Sequence, residues 1–143
     1  MHIRSLTEKA EAENAVAQCV LGVCYLDGVE VPVDYARALR LLTAAARSES
    51  VRAMWNLARM YERGLGTAKD VPRAVQLYET AARDGEFFAQ IALARLYSQD
   101  RDLPVNSKMA LKWYSAAALQ EGRVDAAQEV REARAYVDSH QER

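Results

Sequence analysis

The amino-acid sequence predicts an all-α fold, a solenoid built from antiparallel pairs of helices. Three observations support this prediction: an internal repeat of 36 residues, apolar residues at helical spacing within each repeat, and helix-capping residues that recur at the same interval. The chain has 143 residues, which is long enough for one domain to bury a core of its own. We therefore predict a single repeat domain over residues 1–143.

The repeat is clearest in the first helix of each unit. Ala17, Ala53 and Ala89 lie 36 residues apart, and the register then continues without a gap. The same register aligns three leucines and three tyrosines, which are Leu21, Leu57, Leu93, Tyr25, Tyr61 and Tyr97. Because Ala, Leu and Tyr follow one another at i, i+4 and i+8, they form one apolar stripe on a helix. We expect the leucines and the tyrosines to be mostly buried.

Helix-capping residues mark the ends of the predicted helices. Asp34, Asp70 and Asn106 begin the second helix of each unit, and their side-chain oxygens can accept a hydrogen bond from an otherwise unbonded backbone N–H. Gly28 and Gly64 follow the first helix of two units, where a left-handed residue ends a helix well. The predicted helices lie near 34–47, 50–63, 70–83, 86–98 and 107–120, with a first helix that ends near Leu26 and a last helix that starts near Asp125.

The repeat register divides the chain into five parts. Residues 1–16 are predicted as an N-terminal helical extension or cap, residues 17–52, 53–88 and 89–124 as three repeats, and residues 125–143 as a C-terminal capping helix. The last segment is rich in charged residues, including Glu132, Arg134, Glu142 and Arg143. A solenoid needs such a polar outer face on its terminal element.

These columns resemble the Sel1-like repeat (SLR) family, a relative of the tetratricopeptide repeats with a longer repeat unit. The family pattern A-x3-L-G-x2-Y-x2-G stands at 17–28 as AQCVLGVCYLDG, and it recurs over 53–66 with both loop glycines, Gly64 and Gly66. The third unit lacks these loop glycines over residues 98–102. The resemblance implies a right-handed superhelix that works as an adaptor or scaffold for other proteins. It implies no shared catalytic residues.

No group of residues in the sequence predicts catalysis, a cofactor or a metal site. The two histidines, His2 and His140, lie at opposite ends of the chain, and Gly64-Leu65-Gly66 lacks the Gly-Lys-Ser/Thr of a phosphate-binding loop. Cys19 and Cys24 are five residues apart, so on a helix their sulfurs point in different directions. They predict two buried thiols and no disulfide between them. We predict a protein that is not an enzyme and that has no cofactor and no metal.

Charge and hydropathy indicate that the partner is another protein. The formal net charge is −1, which gives no overall attraction to nucleic acid or to an anionic membrane. The longest apolar stretch, Ala15 to Leu26, is too short to cross a bilayer. Charged residues follow Arg4, where a secretory signal would need an apolar core. We expect no nucleic-acid binding, no membrane insertion and a cytoplasmic location, provided that no segment precedes Met1.

The predicted partner-binding surface is the side of the first helices opposite the Ala–Leu–Tyr stripe. In tetratricopeptide superhelices, which these repeats resemble, that side lines a concave groove. The residues predicted to form it are Val16, Val23, Leu26, Arg52, Trp55, Arg59, Arg63, Phe88, Ile91 and Arg95. Aromatic residues beside arginines often dominate interface energetics, and arginine binds carboxylates with two hydrogen bonds. We therefore predict a partner with an acidic or amphipathic segment.

Three arrangements for covering this apolar side remain open at the level of sequence. A partner protein covers it, a second copy covers it in a homodimer, or the chain covers itself, with Ile3 and Leu6 folded back over Val16 and Val23. Two binding functions also remain. The protein is an adaptor with an exchangeable, micromolar partner, or it is a dedicated inhibitor or immunity-type protein that neutralises one target by occlusion at nanomolar affinity.

Overall fold

A computed structural model describes residues 2–120 and 122–140 of the chain. Over these residues the protein consists of α-helices, one short 3-10 helix and connecting turns, with no β-strand. The α-helices are α1 (His2–Glu11), α2 (Ala15–Asp27), α3 (Tyr35–Arg47), α4 (Val51–Arg63), α5 (Val71–Arg83), α6 (Phe87–Ser98), α7 (Ser107–Ala118) and α8 (Ala127–His140). The predicted all-α class is confirmed, and each predicted helix is present within about two residues of its expected bounds.

The predicted caps form as expected. Asp34, Asp70 and Asn106 each accept a hydrogen bond from the backbone N–H three residues later, at 3.1 Å in all three units. Gly28 and Gly64 end α2 and α4 with φ of +70° and +68°, in the left-handed region. The third unit has no glycine here, and Gln99 ends α6 in an extended conformation instead. Local capping chemistry therefore sets the helix bounds in all three units.

The chain divides within α5 into two compact units, Met1–Ala81 and Ala82–Arg143. In the first unit, the central core packs α2, α3 and α4 around Leu42, Leu57 and Met60. Gly22 of α2 permits a close approach to α3, because a Cβ there would lie 2.8 Å from Cγ of Leu42. Because α3 packs on the Gly22 side of α2, the side chains on the opposite side of α2 do not contact α3.

Helix α1 packs on the side of α2 that carries the repeat stripe. Ile3 and Leu6 are partly buried against a cluster that contains Ala17 and Leu21. Val16 remains 74% exposed. The alternative in which Ile3 and Leu6 cover Val16 and Val23 is therefore wrong, because α1 occupies the position of a preceding second helix and reaches only the stripe.

The second unit contains α6, α7 and α8. Helix α6 buries residues around most of its circumference, and α7 contributes Trp113 and Tyr114 to the interior. Helix α8 follows a 3-10 helix, Val124–Ala126, and buries Ala133. Within the ranges that the structure describes, no helix has the length and apolar character needed to cross a membrane.

The repeat columns occupy equivalent positions. The predicted burial of Leu21, Leu57 and Leu93 is confirmed, with exposures of 3%, 5% and 0%. The three column tyrosines are half-buried. Tyr25 and Tyr61 pack against the core, and their hydroxyls form exposed hydrogen bonds. Tyr25 accepts a hydrogen bond from Arg37 at 3.0 Å, and Tyr61 accepts one from Arg73 at 3.4 Å.

Candidate partner-binding surface

Two contacts set the register between α2 and α4, the first helices of successive pairs. Nη2 of Arg59 lies 3.3 Å from Oδ1 of Asp27. Nearer the start of both helices, Cys19 lies beside Ser50 and Arg52, which lower the pKa of its thiol against the larger, opposing effect of burial. The two helices therefore run side by side in the same direction, and their outer side chains form one continuous surface.

Valines of α2 line an open cleft on this surface, which we call the valine cleft. Its volume is about 480 Å³, and it is lined by Val16, Cys19, Val20, Val23, Cys24, Val29, Ser50 and Arg52. Val16 is 74% exposed, Val29 49% and Val20 44%. An isolated exposed valine is unremarkable, but valines clustered around a cleft form a patch of the kind that marks an interaction site.

The polar groups of the valine cleft give it one cationic edge. Arg52 is exposed and forms no ion pair with any residue that the structure describes. Burial raises the pKa of the Cys19 and Cys24 thiols, so both are protonated at neutral pH and poor nucleophiles. The cleft can therefore contact an apolar side chain while Arg52 binds an acidic group at its rim.

Trp55 and Arg59 extend the surface along α4. The guanidinium of Arg59 lies 5.2 Å from the ring centroid of Trp55, and its Nη1 donates to Oδ1 of Asn56 at 2.7 Å. With the Asp27 ion pair added, only 21% of the Arg59 side chain is exposed. Arg59 thus connects α2 to α4 and holds the Trp55 ring. Arg63, one turn further on, is exposed and forms no ion pair within the described residues.

Two residues of the predicted surface lie in the core. Leu26 is 4% exposed and belongs to the cluster of Leu42, Leu57 and Met60, because α4 covers this side of α2. Ile91 is 2% exposed, on a helix that is buried around most of its circumference. Leu26 and Ile91 are therefore inaccessible to a partner, and their prediction as partner-binding residues is wrong. Val23 is partly buried against the Leu26 cluster, with the rest of its side chain in the valine cleft.

In the second unit, the predicted binding residues contact their own unit. Arg95 forms a bidentate pair with Glu132 of α8, at 2.9 Å from Nε and 2.6 Å from Nη2. The Arg95 hydrogen bond is the main reason that the pKa of Glu132 is lowered, and the Tyr114 hydroxyl, which donates to the same carboxylate at 2.7 Å, acts in the same direction. Phe88 is half-buried, with the Arg123 guanidinium 5.4 Å from its ring centroid.

The family model of the Sel1 repeat matches three segments of the chain, residues 15–50, 51–86 and 88–121. These segments cover well over half of the sequence. The chain belongs to the Sel1 repeat family. The matched segments begin one or two residues before the predicted units, and the first two have the predicted length. Sel1 repeat proteins are in general protein–protein interaction modules, and their fold is typically a non-catalytic scaffold.

Solved Sel1 repeat structures share the fold. A crystal structure of a Sel1 repeat protein from Oxalobacter formigenes is similar with a TM-score of 0.77 and 24% identity, over 99% of this chain and 62% of the other. A protective antigen of uropathogenic Escherichia coli strains, which displays an SLR fold, is similar with a TM-score of 0.80 and 22% identity, over 98% of this chain and 33% of the other. At these identities the likeness shows the fold alone, and this chain spans less than two thirds of either relative. No curated protein matches the chain at a significant level.

The surface of this Sel1 repeat chain combines exposed valines, an aromatic ring and arginines, which are residue types of a binding surface. Among the residues described, no group of three or more His, Cys, Asp or Glu could hold a metal ion. The helical pattern identified Val16, Val23, Arg52 and Trp55. It missed Val20, whose position beside Val16 and Val23 on α2 was a usable signal. It also missed Val29 and Ser50, which lie outside the helices and reach the cleft only through the fold.

Proposed function

We propose that this Sel1 repeat protein binds a segment of another protein on the surface formed by α2 and α4. An apolar side chain of the partner occupies the valine cleft, and a neighbouring carboxylate pairs with Arg52. The observation that carries the proposal is the exposure of Val16 (74%) and Val20 (44%) around a cleft beside an arginine without an ion-pair partner among the described residues.

The energetics favour an occupant with both apolar and acidic groups. Covering a largely exposed valine contributes on the order of 1–2 kcal/mol, so valines alone support weak binding. A carboxylate can form two parallel hydrogen bonds with Arg52, which adds orientation as well as affinity. Trp55 supplies a rigid aromatic contact further along α4, with its ring held by Arg59. An acidic or amphipathic segment fits this arrangement.

The test is a comparison of proteins captured by the immobilised chain and by three single variants. Val20→Glu places a charge in the valine cleft, and Arg52→Glu reverses the charge at its rim. Val105→Glu is the matched control, because Val105 is 51% exposed in the turn before α7, outside the cleft. A partner should be retained by the unaltered chain and the control and lost by both cleft variants.

The captured protein is then purified and titrated against the same four chains. A Kd that rises at least tenfold in Val20→Glu and Arg52→Glu, with Val105→Glu unchanged, supports the proposal. Equal binding by all four chains contradicts it. A micromolar Kd favours an adaptor, whereas a nanomolar Kd with loss of the partner's activity favours a dedicated inhibitor. Analytical ultracentrifugation of the free chain tests for a homodimer. If the chain forms a concentration-dependent dimer and Val20→Glu abolishes it, the occupant of the valine cleft is a second copy of the chain.

A further inference from the structure

The first unit carries two similar clefts between the second helices of successive pairs, lined by residues outside the valine cleft. The first lies between α1 and α3 above α2, with a volume of about 450 Å³, and the second lies between α3 and α5 above α4, with a volume of about 410 Å³. Every lining position of the first recurs 36 residues later in the second, as in Leu21 and Leu57, Tyr25 and Tyr61, and Arg37 and Arg73. We call them the first and second Tyr–Arg clefts.

Small side chains on facing helices leave these clefts open. In the second cleft, Ala46 and Thr43 of α3 face Thr80 of α5, and none of them is long enough to fill the space above Leu57 and Leu77. An arginine forms one wall of each cleft by stacking on the tyrosine. The guanidinium of Arg37 lies 5.4 Å from the Tyr25 ring centroid, and that of Arg73 lies 5.0 Å from the Tyr61 ring centroid.

The two clefts differ in charge at two repeat positions. Glu11 lines the first cleft, and Arg47 stands 36 residues later in the second. Arg40 also lines the first cleft, and the uncharged Gln76 stands 36 residues later in the second. In addition, Nε of Arg37 lies 3.4 Å from Oδ2 of Asp34, so one of the two arginines of the first cleft is already paired. The residues that line the second cleft include two guanidiniums and no carboxylate. Arg47 is exposed and forms no ion pair with a described residue.

We propose that the second Tyr–Arg cleft is a further binding site of this protein, for an acidic side chain of a partner protein flanked by an apolar one. Arg47 and Arg73 approach the carboxylate from α3 and α5, and the apolar neighbour rests on Leu57 and Leu77. Charge complementarity selects this occupant, because two guanidiniums at one cleft attract a carboxylate and repel a cationic segment. The site is independent of the valine cleft.

The experiment is an NMR titration of the isotopically labelled full chain with a blocked tripeptide, acetyl-Glu-Leu-Glu-amide. The uncharged tripeptide acetyl-Gln-Leu-Gln-amide is the matched probe. Two charge exchanges use the repeat itself: Arg47→Glu gives the second cleft the residue of the first, and Glu11→Arg gives the first cleft the residue of the second. Arg47→Gln removes the charge without placing an acidic group at the end of α3.

The acidic tripeptide should shift amides of Thr43, Arg47 and Thr80 in a saturable way. Its affinity should fall about fivefold in Arg47→Glu and about twofold to threefold in Arg47→Gln at low salt, as expected for a solvent-exposed charge pair. Glu11→Arg should add saturable shifts at Thr7 and Ala44 in the first cleft.

Three results would overturn the proposal. They are equal binding of both tripeptides, an Arg47→Gln chain that binds like the unaltered one, and shifts confined to residues of the valine cleft. The capture experiment with Val20→Glu tests only the valine cleft, and the tripeptide titration tests only the second Tyr–Arg cleft. Either proposal can therefore be contradicted without affecting the other.

Discussion

At the scale of single residues, the repeat leaves some positions where only glycine fits without strain. Gly66 has φ of +71°, and a Cβ there would lie 2.7 Å from Cβ of Tyr35 and 3.1 Å from its carbonyl carbon. Gly85 has φ of +88° in open space, with nothing within 4 Å of its Cβ position. The two glycines therefore separate the cost of a left-handed backbone from the cost of a steric clash.

We predict that Gly66→Ala destabilises the protein more than Gly85→Ala does. Gly85→Ala should lower the free energy of unfolding by about 1 kcal/mol, because only the backbone angle is unfavourable. Gly66→Ala should cost at least about 1 kcal/mol more, because backbone atoms of Tyr35 cannot move aside as easily as the end of a flexible side chain. Urea unfolding followed by circular dichroism measures both. Equal losses would mean that the Gly66 turn is not packed against Tyr35.

Leu57 is the central leucine of the repeat, and its truncation tests the register. Leu57→Ala should cost about 2–5 kcal/mol, because Leu57 is 5% exposed and the α3–α4 core cannot close over the cavity. Leu119→Ala is the control, since Leu119 is 85% exposed and should change stability by less than about 0.5 kcal/mol. A loss below about 1 kcal/mol at Leu57 in urea unfolding would contradict the assigned core.

At the scale of elements, α8 is attached to the second unit by a polar network and by aromatic stacking. Glu132 binds Arg95 of α6 and Tyr114 of α7 together, so one carboxylate contacts both helices of the preceding pair. The Tyr136 ring lies 4.6 Å from that of Tyr114. Burial, together with Glu132, raises the pKa of Tyr114 to about 12, so its hydroxyl remains a donor well above neutral pH.

The stability of the α8 attachment should depend on pH through Glu132. Its pKa in the folded protein lies below its ordinary value of 4.5. The unfolded chain therefore takes up the proton first, and the stabilisation is complete above 4.5 and is lost as the pH falls further, through the folded-state pKa. Glu132→Gln should remove this contribution, lower the free energy of unfolding by about 1 kcal/mol at pH 7 and flatten its pH dependence between 5 and 3.

The measurement is urea unfolding of both chains at pH 7, 5 and 3, with Glu129→Gln as control. Glu129 is also on α8, and its charge reaches Arg95 without a direct hydrogen bond. The unaltered chain and the control should lose stability in parallel over this range. If the free energy of unfolding of Glu132→Gln falls with pH as steeply as that of the unaltered chain, a carboxylate other than Glu132 causes the loss of stability below pH 5.

At the scale of the whole molecule, a chain with a net charge of −1 has two kinds of arginine: those without an ion pair among the described residues, and those paired with a carboxylate of another helix. Arg52 lies at the valine cleft and Arg47 at the second Tyr–Arg cleft, whereas Arg59 and Arg95 are satisfied by Asp27 and Glu132. Charges of the first kind can steer a partner, and charges of the second kind hold helices together. Arginine content alone does not separate these roles.

Trp55→Ala should weaken binding of the captured partner by about 2 kcal/mol or more and leave folding nearly intact, because a half-buried aromatic residue is a typical interface anchor. Isothermal titration with the purified partner measures the loss, and circular dichroism checks the fold. Arg59→Glu should slow association and also destabilise the chain, because it places two carboxylates together at Asp27. Partner binding unchanged in Trp55→Ala would place the interface away from α4.

The sequence by itself determined the helices, their caps and the leucine core. These features depend on a residue and its neighbours within one or two turns: Asp34 caps the N–H three residues later, and Leu57 lies on a stripe defined by its own helix. Because the sequence repeats every 36 residues, the same caps and the same buried leucine positions recur in each unit. Both Tyr–Arg clefts follow the same register, although only the structure showed that they are open.

Only the tertiary structure decided which outward-facing residues remain accessible. A helical pattern gives the direction of a side chain around its own axis, but the covering helix comes from a different part of the chain. Leu26 is therefore buried by α4, while Val16 on the same helix stays exposed. In the same way, Arg59 meets Asp27 from 32 residues earlier in the sequence, and Arg95 meets Glu132 from 37 residues later. Pairings at such distances arise when the helices pack against one another, and no local pattern specifies them.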